Sequence, residues 1–170
     1  IGSMVRTKTY ETGVGYPIRM PAIDLAEVGA GGGSIGWLDD GGALRVGPAS
    51  AGADPGPACY DNGGNLPTVT DANLVMGHLN PDNFLGGEIA LRRDLAERAI
   101  NHNLGHPLKM NIQDCAQGIL RVAEASMERI VKVVSSLRGY DPRDFTMVVF
   151  GGSGPVHVAA LAAELGIKKI

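Results

Sequence analysis

The sequence predicts an α/β fold. Three observations carry that prediction. The last third alternates in kind: a long apolar stripe at helical spacing, a short hydrophobic run, a glycine turn, a second helical pattern and the start of another hydrophobic run. The first third shows short extended runs separated by glycine-rich turns, the pattern of an antiparallel meander. The chain has 170 residues, 44% of them apolar, enough for one domain with a core or for one lobe of something larger.

The elements follow in order. MVRTKTY, residues 4–10, reads as a strand, and a second extended stretch runs from about Ile18 to Val28. SIGWL and ALRVG read as strands joined by a hairpin turn at Asp39-Asp40-Gly41-Gly42. From Pro48 to Pro67 the pattern is loop. A loop of that length inside a compact domain is expected to be functional or packed on itself. TDANLVMGHL predicts a short helix capped by Asp71 or Thr70, with Leu74, Val75 and Leu79 turned inward. Arg92–His102 predicts a second helix. The strongest helical stripe runs from Ile112 to Leu137, capped by Asn111 with Asp114 three residues on, and stopped by Gly139 and Pro142. FTMVVF reads as a buried strand, PVHVAALAAELG as a helix and IKKI as the start of a further strand. A right-handed crossover would then leave the two strands parallel.

Composition excludes several classes. Net charge is -3, which argues against a dedicated nucleic-acid surface. No apolar run reaches the roughly 18 residues of a membrane span, and the N-terminal IGSMVRTKTY lacks the apolar centre of a secretory signal. Cys59 and Cys115 with four scattered histidines make no zinc pattern, so no protein-held metal is expected. The thiols read as reduced and the chain as cytoplasmic. Glycine is abundant, with 25 residues clustered at turns, as in loops that surround a ligand.

Two glycine segments carry the functional reading. FGGSGPVH joins a hydrophobic run to a helix through Gly151, Gly152, Ser153 and Gly154. Glycines let a ligand approach the main chain, and the helix behind them offers unpaired N–H groups and the positive end of its dipole. Pro155 suits the first helical turn, where its missing N–H is no loss. Close strand–helix packing is the alternative explanation. The motif is neither GxGxxG nor a P-loop. In GAGGGS, Gly31, Gly32, Gly33 and Ser34 could wrap a phosphate or substrate anion in successive N–H groups, or simply form a sharp bend. Asp24 and Glu27, just upstream, read as solvated or hydrogen-bonded carboxylates.

No catalytic residue is evident. Asp54, in a Pro/Gly-framed loop, and Asp71, in TVTDAN, are the carboxylates that could serve. A turn-capping role for Asp54 and a helix-capping role for Asp71 are the structural alternatives. Cys59 reads as a small buried thiol rather than a nucleophile. His78, His102 and His106 have no metal spacing, and His157 on the first turn after GGSGPV reads as a packed histidine beside a possible ligand site.

Taken together, VGAGGGSIGWLDDGGALRVGPASAGADPGPACY, PTVTDANLVMGHL and RGYDPRDFTMVVFGGSGPVHVAALAAELGI resemble the hydantoinase A / 5-oxoprolinase family. That family also includes the large subunits of acetone and acetophenone carboxylases. The match runs in order from about Tyr16 to Ile170. The resemblance implies one lobe of an actin-like ATPase domain, of the acetate and sugar kinase, Hsp70 and actin type, with a mixed sheet and packed helices. It implies ATP with Mg²⁺ and a small cyclic amide or ketone as substrate. It also implies a second subunit or a homo-oligomer, with no membrane or nucleic-acid partner. By the same resemblance the strand–GG–helix turn at Gly151–Gly154 contacts adenosine, and GAGGGS faces phosphates or substrate.

The sequence also departs from the pattern. Phosphate turns of the type D-x-G-x-[ST] are missing. Asp39-Asp40-Gly41-Gly42-Ala43 and Asp61-Asn62-Gly63-Gly64-Asn65 lack the Ser or Thr, and the family's phosphate turns would lie upstream of Ile1. Ala26 and Glu27 stand where many hydantoinase-type members have His-Thr, which bears on hydantoin specificity. Residues 1–170 are therefore expected to form a single domain or fragment, the nucleotide-facing C-terminal lobe of an ATP-dependent hydrolase of cyclic amides. A ketone carboxylase subunit and a non-catalytic nucleotide-binding or interaction domain are the alternatives. Phosphoryl transfer needs charge stabilisation from both sides, so the isolated piece is expected to be silent.

Overall fold

The side chain of Asp39 ties together the turn that opens the fold. In this computed structural model, which describes residues 26–170, its Oδ1 accepts from Gly41 N (3.1 Å) and Ala43 N (2.9 Å), and its Oδ2 from Arg45 Nε (2.8 Å). Gly42 takes a φ of +78°, which L side chains rarely adopt. The turn joins β1 (Ser34–Leu38) to β2 (Leu44–Ser50), with Trp37 opposite Arg45, Leu38 opposite Leu44 and a bulge between Ser34 and Gly36. The expected hairpin is present. The strand expected over 4–10 and most of the stretch expected over 18–28 lie outside the described residues.

The loop expected from Pro48 to Pro67 is packed on itself. It begins after β2 has run on to Ser50, and it contains a 3-10 turn at Ala58–Tyr60 whose Ala58 and Cys59 are buried. Next comes α1 (Val69–Val75), every residue of which is buried. Its cap is Thr68, not Thr70 or Asp71. The Thr68 hydroxyl accepts from Asp71 N while the Asp71 carboxylate accepts from Thr68 N, a reciprocal capping box. The TVTD run offers three candidate caps. Only Thr68 stands three residues before a carboxylate, as the reciprocal geometry requires.

A second helix, α2 (Arg93–Ile100), passes through a π turn at Asn101–Gly105 into α3 (His106–Leu108). The long α4 (Ile112–Val134) is capped by Asn111, whose Oδ1 accepts from Asp114 N at 2.8 Å, as expected. It stops short of Leu137 because Ser135 leaves helical geometry, and a 3-10 turn, Ser136–Arg138, leads to Gly139 in the left-handed region. The core gathers Val69, Ala72 and Leu74 of α1, Ala96 and Ile100 of α2, Leu104, and Cys115, Ala116, Ile119 and Ala123 of α4. The hairpin packs over α4 so closely that a Cβ on Gly36 would stand 3.0 Å from the Ile119 side chain. No helix among the described residues is long and apolar enough to cross a membrane.

Helix α5 (Gly154–Leu165) buries His157, Leu161, Ala162 and Leu165 and packs against α4. Gly166, φ +67°, and the bond from Ile167 N to Ala162 O (2.9 Å) end it. The strands expected on either side of α5 are corrected here. Phe145–Phe150 and Ile167–Ile170 meet through a single bridge, Thr146 with Lys169, whose sense is parallel as expected. Val148 is 78% exposed and Phe150 87%. Hydrophobicity favours a strand at FTMVVF, but a ladder needs neighbours, and among the described residues only Lys169 pairs with this run.

Candidate functional site

Asp71 anchors the ADPGPACY loop. Its carboxylate accepts from Ala58 N (3.2 Å), Cys59 N (2.8 Å), Thr68 N (2.9 Å) and the Thr68 hydroxyl (2.7 Å), with no exposure to solvent. All of these are donors, so both carboxylate oxygens are satisfied without a cationic partner among the described residues, and the group holds two distant backbone segments together. Its oxygens are occupied in structural bonding. Burial, and after it the Asp71 carboxylate, push the Cys59 thiol far above its usual range; burial does the same to Cys115, less strongly. Both cysteines are free and buried, as expected of small packed thiols. Asp54 sits in an exposed turn away from this network.

One residue earlier, Thr70 faces the glycine segment. Its N–H and its hydroxyl both donate to Gly32 O, at 2.8 and 2.9 Å. Within the segment, Ser34 N donates to Gly31 O at 3.0 Å, and Gly31 N donates back to the Ser34 hydroxyl at 2.9 Å. GAGGGS is thus a closed turn fixed from both sides. Gly47, at φ +68°, lies against it: a Cβ there would stand 2.5 Å from Gly29 O.

The structure brings the two glycine segments together. A Cβ on Gly32 would lie 3.6 Å from both Cβ and Oγ of Ser153. Gly151 and Gly152 are exposed, and a Cβ on either would meet nothing within 4 Å. Gly151 adopts φ +96°, and Pro155 occupies the first turn of α5. Open main chain, a helix N-terminus and a neighbouring glycine turn therefore share one corner. Its chemistry suits a ligand that presses a flat or anionic group against backbone N–H groups.

Behind the corner lies a buried polar chain that the sequence did not reveal. His157 is 1% exposed. Its Nδ1 stands 3.1 Å from Glu124 Oε1 of α4, and its Nε2 stands 3.4 Å from Asn73 Nδ2 of α1. Asn73 Oδ1 in turn stands 3.0 Å from His78 Nδ1. The sequence placed His157 as a packed histidine, which it is. Its partners are 84 and 33 residues away, so no local signal could name them. Trp37 and Arg45, which line a groove of about 740 Å³ between the hairpin and α4, were equally silent in the sequence. No cluster of three metal-ligating side chains occurs among the described residues.

The sequence profile of the hydantoinase/oxoprolinase family matches residues 1–170. The chain belongs to the hydantoinase/oxoprolinase family. Among its relatives, the caprolactamase subunit alpha of Pseudomonas jessenii is 48% identical over 91% of this chain. The acetophenone carboxylase gamma subunit of Aromatoleum aromaticum is 40% identical over 97% of it, and the 5-oxoprolinase PfmaA of Pestalotiopsis fici 41% over 90%. The crystal structure of the ATP-dependent caprolactamase from Pseudomonas jessenii superposes with a TM-score of 0.82 at 49% identity, covering 90% of this chain and 22% of that one. The fold class read from the sequence, an α/β lobe of the actin-like ATPase type, is the one these family members share. The chain spans only 22%, 23% and 12% of the three relatives' lengths, so what it shares with them is one part of a larger hydantoinase/oxoprolinase-type polypeptide.

Proposed function

We propose that this chain is the nucleotide-facing part of an ATP-dependent enzyme that opens cyclic amides. The observation that carries the reading is the meeting of the two glycine segments at Gly32 and Ser153 beside open main chain at Gly151 and Gly152. In this reading Gly151, Gly152, Ser153 and Gly154 lie against the adenosine, and Gly31, Gly32, Gly33 and Ser34 face the phosphates or the substrate. The corner fits such a ligand, since nothing of the protein fills the space a Cβ would take at either exposed glycine. When bound, ATP would supply a phosphoryl group to the amide oxygen, which makes the carbonyl carbon a better electrophile for water, so that the ring C–N bond can break and phosphate be released. The residues of this chain bind and orient it, and Mg²⁺ enters with the phosphates, held by oxygen ligands and water. Neither Asp54 nor Asp71 is required for chemistry in this reading. Kinship with a caprolactamase, a 5-oxoprolinase and a carboxylase subunit supports ATP use, a small cyclic amide or ketone as substrate, and a multi-subunit enzyme; the free thiols of Cys59 and Cys115 favour the cytoplasm as its compartment.

The test is ATP hydrolysis by the intact native polypeptide, with its partner subunits, in the presence of caprolactam, 5-oxoproline, hydantoins or acetone with bicarbonate. Turnover stimulated by a cyclic amide is the expected result. Stimulation only by ketone and bicarbonate would move the protein to the carboxylase branch. Nucleotide binding without turnover on any of them would leave a binding module.

A further inference from the structure

We propose that His157 is a positioning residue that locks the GGSG turn and the GAGGGS loop into one rigid frame, so that ATP meets both at once. The inference rests on the nucleotide reading above and goes beyond it by naming the device that sets the spacing.

The argument begins at α1, which reaches both glycine segments from one short buried helix. Thr70 holds Gly32 by two hydrogen bonds, and Asn73, three residues on and therefore on the neighbouring face, meets the His157 ring at 3.4 Å. His157 lies on the first turn of α5, three residues after Gly154, so fixing its ring fixes the direction in which the GGSG amides point. Its other nitrogen stands 3.1 Å from Glu124, on the middle of α4. The ring is thus held from two helices. With Asn73 Nδ2 against Nε2 and the Glu124 carboxylate against Nδ1, the tautomer with its proton on Nδ1 would satisfy both neighbours. A purely apolar side chain could fill the same volume. It could not transmit the position of α1 to α5, because apolar contacts are non-directional. Losing the ring would also strand the Asn73 amide, 2% exposed, without its partner on that side.

The experiment compares His157→Leu and His157→Gln with the wild type in the intact native polypeptide. Gln keeps an acceptor for Asn73, whereas Leu keeps only volume. Expected for His157→Leu are an ATP dissociation constant and KM raised about tenfold, the size of one lost buried hydrogen bond, with kcat changed far less. His157→Gln should recover most of the affinity. In nucleotide-free protein, amide hydrogen exchange at 151–154 should quicken in His157→Leu while exchange in the middle of α4 stays as in wild type. Should His157→Leu fail to fold, Glu124→Met, whose side chain is partly exposed, should show the same changes more weakly. ATP affinity and exchange at 151–154 that match wild type in the Leu or Met variant would overturn the proposal. So would losses that Gln does not restore and that track a fall in overall stability. If the wild type binds no ATP but His157→Leu still quickens exchange at 151–154, the positioning role stands and the nucleotide assignment falls.

Discussion

The carbonyl of Gly32 accepts two hydrogen bonds from one residue, Thr70, through the N–H at 2.8 Å and the hydroxyl at 2.9 Å. That relationship spans 38 residues of sequence and fixes a glycine turn on the first turn of a buried helix. Thr70→Val should keep the N–H bond and lose the hydroxyl bond, lowering stability by ~1 kcal/mol. Gly47→Ala should cost more, ~2–4 kcal/mol, since its Cβ would press on Gly29 O and its φ of +68° disfavours any side chain. Urea denaturation of the intact protein checks both, and a Gly47→Ala variant as stable as wild type would contradict the packing described.

Asp71 is expected to matter for folding rather than for chemistry. Its carboxylate accepts four hydrogen bonds in a fully buried site. Asp71→Ala should lower stability by ~3 kcal/mol or more, and Asp71→Asn nearly as much, because an amide nitrogen would face backbone N–H donors. Thermal unfolding measures the loss. Wild-type stability in either variant, with activity abolished, would make Asp71 a chemical group after all.

Gly152 tests the ligand corner with little disturbance of the fold. No atom lies within 4 Å of its would-be Cβ, and its φ is outside the left-handed region. Gly152→Val should leave stability within about 0.5 kcal/mol of wild type and still weaken ATP binding at least tenfold by standing where the nucleoside should lie. Isothermal calorimetry reads the affinity, and an unchanged value would remove the adenosine from this turn.

The two thiols should be inert. Burial holds both protonated well above neutral pH, and the thiolate is the reactive species. Iodoacetamide at pH 8 should label neither Cys59 nor Cys115 in the native protein and both after urea. Rapid native labelling of Cys59, detected by mass spectrometry, would show that the ADPGPACY loop opens.

Acid should loosen two surface turns. Hydrogen bonds from the Arg143 side chain and backbone, helped by its charge, lower the Asp141 carboxyl from 3.8 to about 2. The Ala43 backbone N–H, Arg45 and the Gly41 backbone N–H lower Asp39 in the same direction. A carboxyl depressed in the folded state contributes fully above its unfolded value and loses that contribution as pH falls through the folded one. The two turns should therefore be unaffected from pH 7 to about 5 and weaken below pH 3.8. Amide chemical shifts of Gly41 and Arg143 followed through that range check this, and a transition near neutral pH would contradict it.

Much of this protein was legible in its sequence where the signal is local. The β1–β2 hairpin follows from alternation around an Asp-Asp-Gly-Gly turn, the Asn111 cap from Asp114 three residues on, and the start of α5 from Pro155 after glycine. Each is decided within about one helical turn or one hairpin. The family was legible too, because GAGGGS, SAGADPGPACY and FGGSGPVH occur together and in order. Tertiary structure decided the rest. It chose Thr68 over Thr70 as the cap, because only there can Asp71 answer. Among the described residues it left FTMVVF with a single bridge, because strand formation depends on partners that hydrophobicity cannot supply. And it joined Glu124, His157, Asn73 and His78, together with Gly32 and Ser153, into one corner. Contacts between residues tens of positions apart are set by how helices pack, and a linear pattern carries no record of that.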